Sequence, residues 1–240
     1  MRKQRSYGLY FGVFLLAALT TSRAGLIIDN FSNGSGTITV SGANGQANGS
    51  SVASGTVAGN RVASVQNVGA DPTTVVASTA FGTDSASFSR DAATTAGYSV
   101  HTITWTAAAY DLLKLSGSSS MATLSFMLDV NHASSSQSFL ITVWQDANWA
   151  TYAASAGPGD NTYAYFTYTA SSGTQPNLNA VTQIAFSATL PFGSAPSFTF
   201  GDLTAVPEPT NVALGVFGGL ALAVGGVRAG RRLMIARRTA

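Results

Sequence analysis

Between Gly25 and Val206, the side chains able to do chemistry are two histidines, nine aspartates and a run of large aromatics. General acid–base or nucleophilic catalysis needs a group of tunable protonation state held beside a partner. His101 alternates with Ile103 and Trp105 in a strand-like stretch and has no acid near it in sequence. It reads as a satisfied, half-buried histidine rather than a base. His132 follows Asn131 in what reads as a turn and is expected in solvent. No G-x-S-x-G, H-E-x-x-H, Walker or G-x-G-x-x-G pattern occurs. Nine aspartates without a glutamate in this stretch would make a two-carboxylate glycosidase only if the fold brought two of them together. The inventory predicts a protein that is not an enzyme.

Two kinds of binding chemistry remain. Calcium takes oxygen ligands from Asp, Asn and loop carbonyls. Asp129-x-Asn131, Asp146-x-Asn148 and Asp160-Asn161 read as strand ends, where such residues also start turns for local hydrogen-bonding reasons. Asp29 and Asp202 lie near the two ends of the stretch, and pairing of its first and last strands would appose them and call for a cation, with calcium as the candidate. The second chemistry is stacking of sugar rings on aromatic faces. Trp144, Trp149, Tyr152, Tyr163, Tyr165, Phe166 and Tyr168 cluster, and core packing accounts for Phe166 and at least half of the others. Trp149 and Tyr152, in the loop-like stretch from Ala147 to Pro158, are the pair expected to be exposed and to bind glycan.

The elements that must position these groups are strands. Ser99 to Thr106, Thr123 to Val130, Ser138 to Gln145, Tyr163 to Thr169 and Val181 to Thr189 alternate with period two and are rich in β-branched and aromatic residues. Weaker candidates are Leu26 to Phe31, Thr37 to Val40, Arg61 to Val68, Thr73 to Ser78 and Ser197 to Leu203. Helical periodicity is missing apart from a turn around Tyr110 to Leu115. About ten short strands separated by Gly, Ser, Asn and Pro predict an all-β antiparallel sandwich of jelly-roll type. Ser41 to Asn60, poor in large apolar side chains, is either a long loop or solvated edge strands.

Charge separates the chain into three parts. Only 9% of the 240 residues are charged, and there is no cysteine, so core packing and hydrogen bonds must hold the fold. Residues 25–206 carry Arg61, Arg90 and Lys114 against nine Asp, or 3 − 9 = −6, which excludes a nucleic-acid binder. The basic residues sit at the ends. Arg2, Lys3 and Arg5 precede an apolar run from Tyr7 to Leu19, and Ser22-Arg23-Ala24 places small residues three and one before a cleavage point. Residues 1–24 thus read as a signal peptide for the general secretion machinery. Val212 to Val227 is uncharged, and a helix over about residues 210–229 would span roughly 30 Å. Arg228, Arg231, Arg232, Arg237 and Arg238 follow it, so the tail is cytoplasmic and the domain exported.

Directly before that helix stands Val206-Pro207-Glu208-Pro209, an amide-poor strip that should stand clear of sheet and helix. The order V-P-E-P, Gly-rich apolar helix, Arg-rich tail resembles the PEP-CTERM sorting signal over residues 207–240. That resemblance implies recognition by a membrane-embedded exosortase in Gram-negative bacteria that make exopolysaccharide. Tails of this kind are also labelled an ice-binding protein C-terminal domain, a label that implies no ice binding by the remainder. Leu26-Ile27-Ile28-Asp29-Asn30-Phe31-Ser32, Gly59-Asn60-Arg61 and Phe200-Gly201-Asp202-Leu203 are similar to the ends of exported sandwich domains joined to such tails, related to galactose-binding-like jelly rolls. The expected protein is therefore a non-catalytic surface or matrix protein. It would be held in the inner membrane with its domain in the periplasm, then displayed or released after processing, in association with exopolysaccharide or biofilm. The alternative is a carbohydrate-binding module, calcium-dependent or not, that uses loop aromatics.

Overall fold

The computed structural model describes residues 25–42, 45–48, 52–53, 60–69, 76–92, 97–191 and 195–207. Burial alternates with the pleat: β5 (Asn60–Gly69), β6 (Val76–Gly82) and β7 (Ser85–Arg90) bury every second residue almost without exception, polar Arg61, Asn67, Thr79 and Arg90 included. Around them run β1 (Leu26–Asp29), β2 (Gly36–Ser41), β3 (Gln46–Asn48), β4 (Val52–Ala53) and β8 (Gly97–Tyr110). The second half of the chain adds β9 (Leu124–Ala133), β10 (Gln137–Gln145), β11 (Asn148–Ala156), β12 (Gly159–Ser171), β13 (Val181–Pro191) and β14 (Ser197–Pro207). A short helix, α1 (Leu112–Ser116), falls where the sequence allowed a turn. The Asp111 side chain caps it by accepting from the Lys114 amide at 2.9 Å, and left-handed Gly117 ends it.

The pairings are antiparallel and lie along one path, β2-β6-β7-β14-β9-β12-β11-β10-β13-β8-β5-β3, with β1 on β14 and β4 on β5. The path folds over at β12. Residues 159–166 of that strand pair with β9, and residues 167–171 pair with β11 past an irregularity at Thr151 and Tyr152. Two layers result, β2 to β12 and β11 to β3, and their inner faces meet through aromatic rings. Phe139 of β10 lies 4.6 Å from Phe198 of β14, Phe186 of β13 lies 5.1 Å from Phe200, and Phe126 of β9 lies 5.0 Å from Tyr152 of β11, centroid to centroid. Each fully buried ring of this kind contributes about 1.5–3 kcal/mol of transfer free energy. That core does the work of the missing disulfides, and the molecule is the antiparallel β-sandwich that the alternation predicts.

Three local expectations change, and one open alternative is decided. The stretch from Ala147 to Pro158 is mostly strand β11, not loop. The poor segment after Ser41 supplies the short edge strands β3 and β4 on β5, the second of the two alternatives open for it. Asp129 and Asn131 lie inside β9 rather than at its end. Val206 and Pro207 do not stand clear of the sheet but finish β14, past Ala205, the last residue paired with β1. Proline is tolerated at a strand end, where no ladder amide is needed. Among the described residues no helix is long and apolar enough to cross a membrane. The segments read as signal peptide, Glu208-Pro209, membrane helix and arginine tail lie outside the described residues.

Candidate functional site

The first and last strands pair, with Leu26 opposite Ala205 and Asp29 opposite Leu203. Asp29 nevertheless points into the core, where it is fully buried. Its Oδ2 accepts from Arg61 Nη1 at 2.7 Å and from Trp105 Nε1 at 2.7 Å, and its Oδ1 accepts from the Phe31 amide at 2.8 Å. The Arg61 guanidinium also donates to the Asn33 carbonyl and lies over the rings of Phe31 and Phe81, 5.1 and 4.4 Å from their centroids. The carboxylate expected to face a cation is thus neutralised by a buried guanidinium, and its oxygens are already hydrogen-bonded.

Asp202 has the other environment. It is partly buried, and its carboxyl is pushed above the ordinary aspartate value, first by burial, then by Asp129, Asp84 and Asp29. A side chain on neighbouring Gly201 would come within 3.6 Å of both Asp129 and Asn131, so this patch lies over the outward face of β9. Asp84 and Asp146 adopt left-handed conformations (φ 58° and 54°) at the tips of the β6–β7 and β10–β11 hairpins, where turn geometry explains them. Among the described residues no group of three or more His, Asp or Glu side chains is arranged to hold a metal ion.

The two histidines differ as sharply. His101 is fully buried, with Thr79 Oγ1 3.0 Å from Nδ1, Ser99 Oγ 2.8 Å from Nε2 and the Phe88 ring stacked at 4.9 Å. Burial lowers its pKa to about 3, so it stays neutral. His132 is exposed on β9 and pairs with Asp160 of β12 at 2.5 Å.

The aromatic pair expected on one loop is divided by strand parity. Residues three apart on a strand face opposite sides. Tyr152 points inward, fully buried, with its hydroxyl on the Met121 carbonyl at 3.3 Å. Burial, then the neighbouring Tyr168, push its ionisation above the ordinary tyrosine value. As a glycan contact Tyr152 is therefore corrected to a core residue. Trp149 points outward, partly exposed, and its cross-strand partner is Trp144. The two indoles flank the turn at Asp146 and Ala147 symmetrically. The spacing W-Q-D-A-N-W, read as a two-residue hairpin, carries that pairing in the sequence.

From this pair an outward row continues across the layer. Trp144 is in register with Gln183 of β13, Gln183 with Thr106 of β8, and Thr106 with Asn60 of β5. At 4.7–4.9 Å per strand the row is about 19 Å long, two indoles followed by amides and a hydroxyl. Its aromatic end is held firmly. The Trp149 amide donates to Ser172 Oγ at 3.0 Å, the Ser172 amide donates to the Trp149 carbonyl at 2.9 Å, and the Asn177 amide reaches Gln145 Oε1 at 3.4 Å. The same loop walls a groove of about 400 Å³ lined by Tyr168, Met121, Leu113, Pro176, Leu178 and polar rim residues. Flat rings beside uncharged hydrogen-bonding groups suit a ligand with apolar faces and hydroxyl edges.

No protein-family model matches the chain, and no curated protein matches it. Solved structures do. A family 11 carbohydrate-binding module of the cellulosomal cellulase Lic26A-Cel5E of Clostridium thermocellum aligns at 13% identity over 77% of this chain and 95% of that one, with a TM-score of 0.36. An exo-beta-agarase aligns at 10% identity over 49% of this chain and 20% of that one, TM-score 0.34. The CBM22-1-GH10 modules of Clostridium thermocellum xylanase 10B align at 11% identity, over 51% and 22%, TM-score 0.28. The match thus spans about a fifth of the agarase and of the xylanase modules.

Proposed function

We propose that the chain is an exported, non-catalytic matrix protein whose jelly-roll-type sandwich binds polysaccharide across its second layer. The observation that carries this reading is the outward pair Trp144 and Trp149 at the head of the row Gln183, Thr106, Asn60. Sugar rings stack on the indoles while the amides and the hydroxyl take the hydroxyl edges. Export and sorting rest on the ends of the sequence: the signal peptide of residues 1–24, the Val206-Pro207-Glu208-Pro209 strip, the apolar segment and the five terminal arginines. An exosortase acting at that strip would leave the domain at the surface or free in the exopolysaccharide. The non-catalytic reading is supported by His101, sealed neutral in the core, and by Asp29, committed to Arg61.

The test is retention of the protein on the producing cell's own exopolysaccharide, with and without a chelator, beside a Trp149→Ala variant. Retention that the substitution abolishes is expected, and loss on chelation would add calcium to the account. Equal retention of both proteins, or none, would overturn the assignment to this face.

A further inference from the structure

The most exposed aromatic rings of the described residues are not on the tryptophan face. Tyr163 and Tyr165 of β12 are 57% and 47% exposed. They stand two residues apart on one strand, so both rings project from the same, outer face of the first layer, while Ala164 and Phe166 between and beyond them fill the core. Two large phenol rings side by side in water need a reason, because scattered single apolar residues are ordinary and a contiguous aromatic patch is not. Across the strand pair Tyr163 faces Asp129 and Tyr165 faces Met127. Asn131 and Gly201 adjoin Asp129, and Asp160 with His132 closes the near end.

We infer that Tyr163 and Tyr165 form a second polysaccharide site, separate from the tryptophan row, so that one domain holds two chains and cross-links the matrix. The inference rests on the carbohydrate-binding reading above. Separation follows from the fold. Tyr165 is six residues before Ser171, the β12 residue in register with Ala150 next to Trp149, which is roughly 20 Å of strand at ~3.3 Å per residue. The two patches also project from opposite outer faces of the sandwich, so a short oligosaccharide touching one does not reach the other. The ligand is a neutral, hydroxyl-rich glycan. Rings provide the stacking surface, the Asp129 carboxylate accepts from sugar hydroxyls, and a carboxylate patch inside a domain of net charge −6 repels a uronic-acid polymer. Two sites on one body bind a polymer network far more tightly than either alone and make the domain a junction rather than a passenger.

The test is a calorimetric titration of the full chain in mild detergent with neutral tetrasaccharides of glucose, mannose and galactose, and with a tetra-uronate as the anionic control. Expected are two sites per chain for a neutral sugar and none for the uronate. Tyr163→Ala/Tyr165→Ala should leave one site, Trp144→Ala/Trp149→Ala should leave the other, and the four-fold variant none. Tyr163→Phe/Tyr165→Phe should keep both sites within about threefold in affinity, because the ring face survives. Unfolding midpoints taken on the same samples separate a lost site from a lost fold. One site per chain, removed by the tryptophan changes and untouched by the tyrosine changes, would overturn the second site and leave the proposed function standing. One site removed by either pair of changes would also overturn it. No binding of any neutral sugar would overturn both readings, and uronate binding at the tyrosines would overturn the ligand class.

Discussion

Asp29 and Asp202 begin from the same residue type, and the closing strand pair sets Asp29 opposite Leu203, the residue after Asp202. Their surroundings are opposite. Asp29 faces inward to a guanidinium, an indole N–H and an amide, so its charge is matched inside the core. Asp202 belongs to a patch of carboxylates with no cation among the groups that shift it. Position along the chain decides neither outcome; the direction of each side chain relative to the sheet does. Trp149 and Tyr152 repeat the lesson on β11, one outward beside Trp144 and the other in the core. The inner face of this sandwich uses its polar and aromatic groups for stability, and the outer face leaves its own partly in solvent.

The inner face is the more easily disrupted of the two. Arg61→Met strands the Asp29 carboxylate without its counter-charge, and a loss of about 3–5 kcal/mol is expected in urea unfolding. A loss below about 1 kcal/mol would show that the buried pair is not what ties β1 to β5. Tyr152→Ala should cost about 3–5 kcal/mol as a core deletion, whereas Trp149→Ala on the same strand should cost less than about 1 kcal/mol. Equal costs would erase the division of β11 into two faces.

A pH series sharpens the same contrast. The unfolded chain protonates His101 near 6.5, while the native state resists until about 3. Between those values the unfolded state holds the extra proton, so stability should fall as pH falls, with a slope of up to about 1.4 kcal/mol per pH unit from this group. His101→Gln should flatten that part of the profile. Asp202 runs the other way, since its native pKa is raised and the native state is the readier to take a proton. Asp202→Asn should therefore stabilise the protein at neutral pH, by an amount that shrinks as pH drops through the carboxylate range. Destabilisation at neutral pH would mean that Asp202 has a stabilising partner that outweighs the repulsion from its carboxylate neighbours.

Much of this was legible in the sequence, and what was not has a physical cause. Period-two alternation marked β8, β9, β10, β12 and β13, because a strand with one wet face must alternate. It could not register the strands against each other. The union of Trp144 with Gln183, Thr106 and Asn60 joins residues up to 123 positions apart (183 − 60) and exists only through long-range pairing. Small residues hid β11, where Ala150, Ala153 and Ala154 gave little strand signal beside Trp149 and Tyr152. Asp29 was legible as an acid at a chain end, but its partner Arg61 lies 32 residues on, and nothing local announces a buried ion pair.

In the proposed function the partly exposed indoles of Trp144 and Trp149 meet a sugar chain while Trp105 stays in the core. These are the three tryptophans of the chain, so intrinsic fluorescence during titration with a neutral polysaccharide reads that contact directly. A saturable blue shift in the native protein, absent from Trp144→Ala/Trp149→Ala with Trp105 left as reporter, is the predicted result. A shift that persists in that variant, or retention on polysaccharide with no change in the native protein's emission, would contradict it.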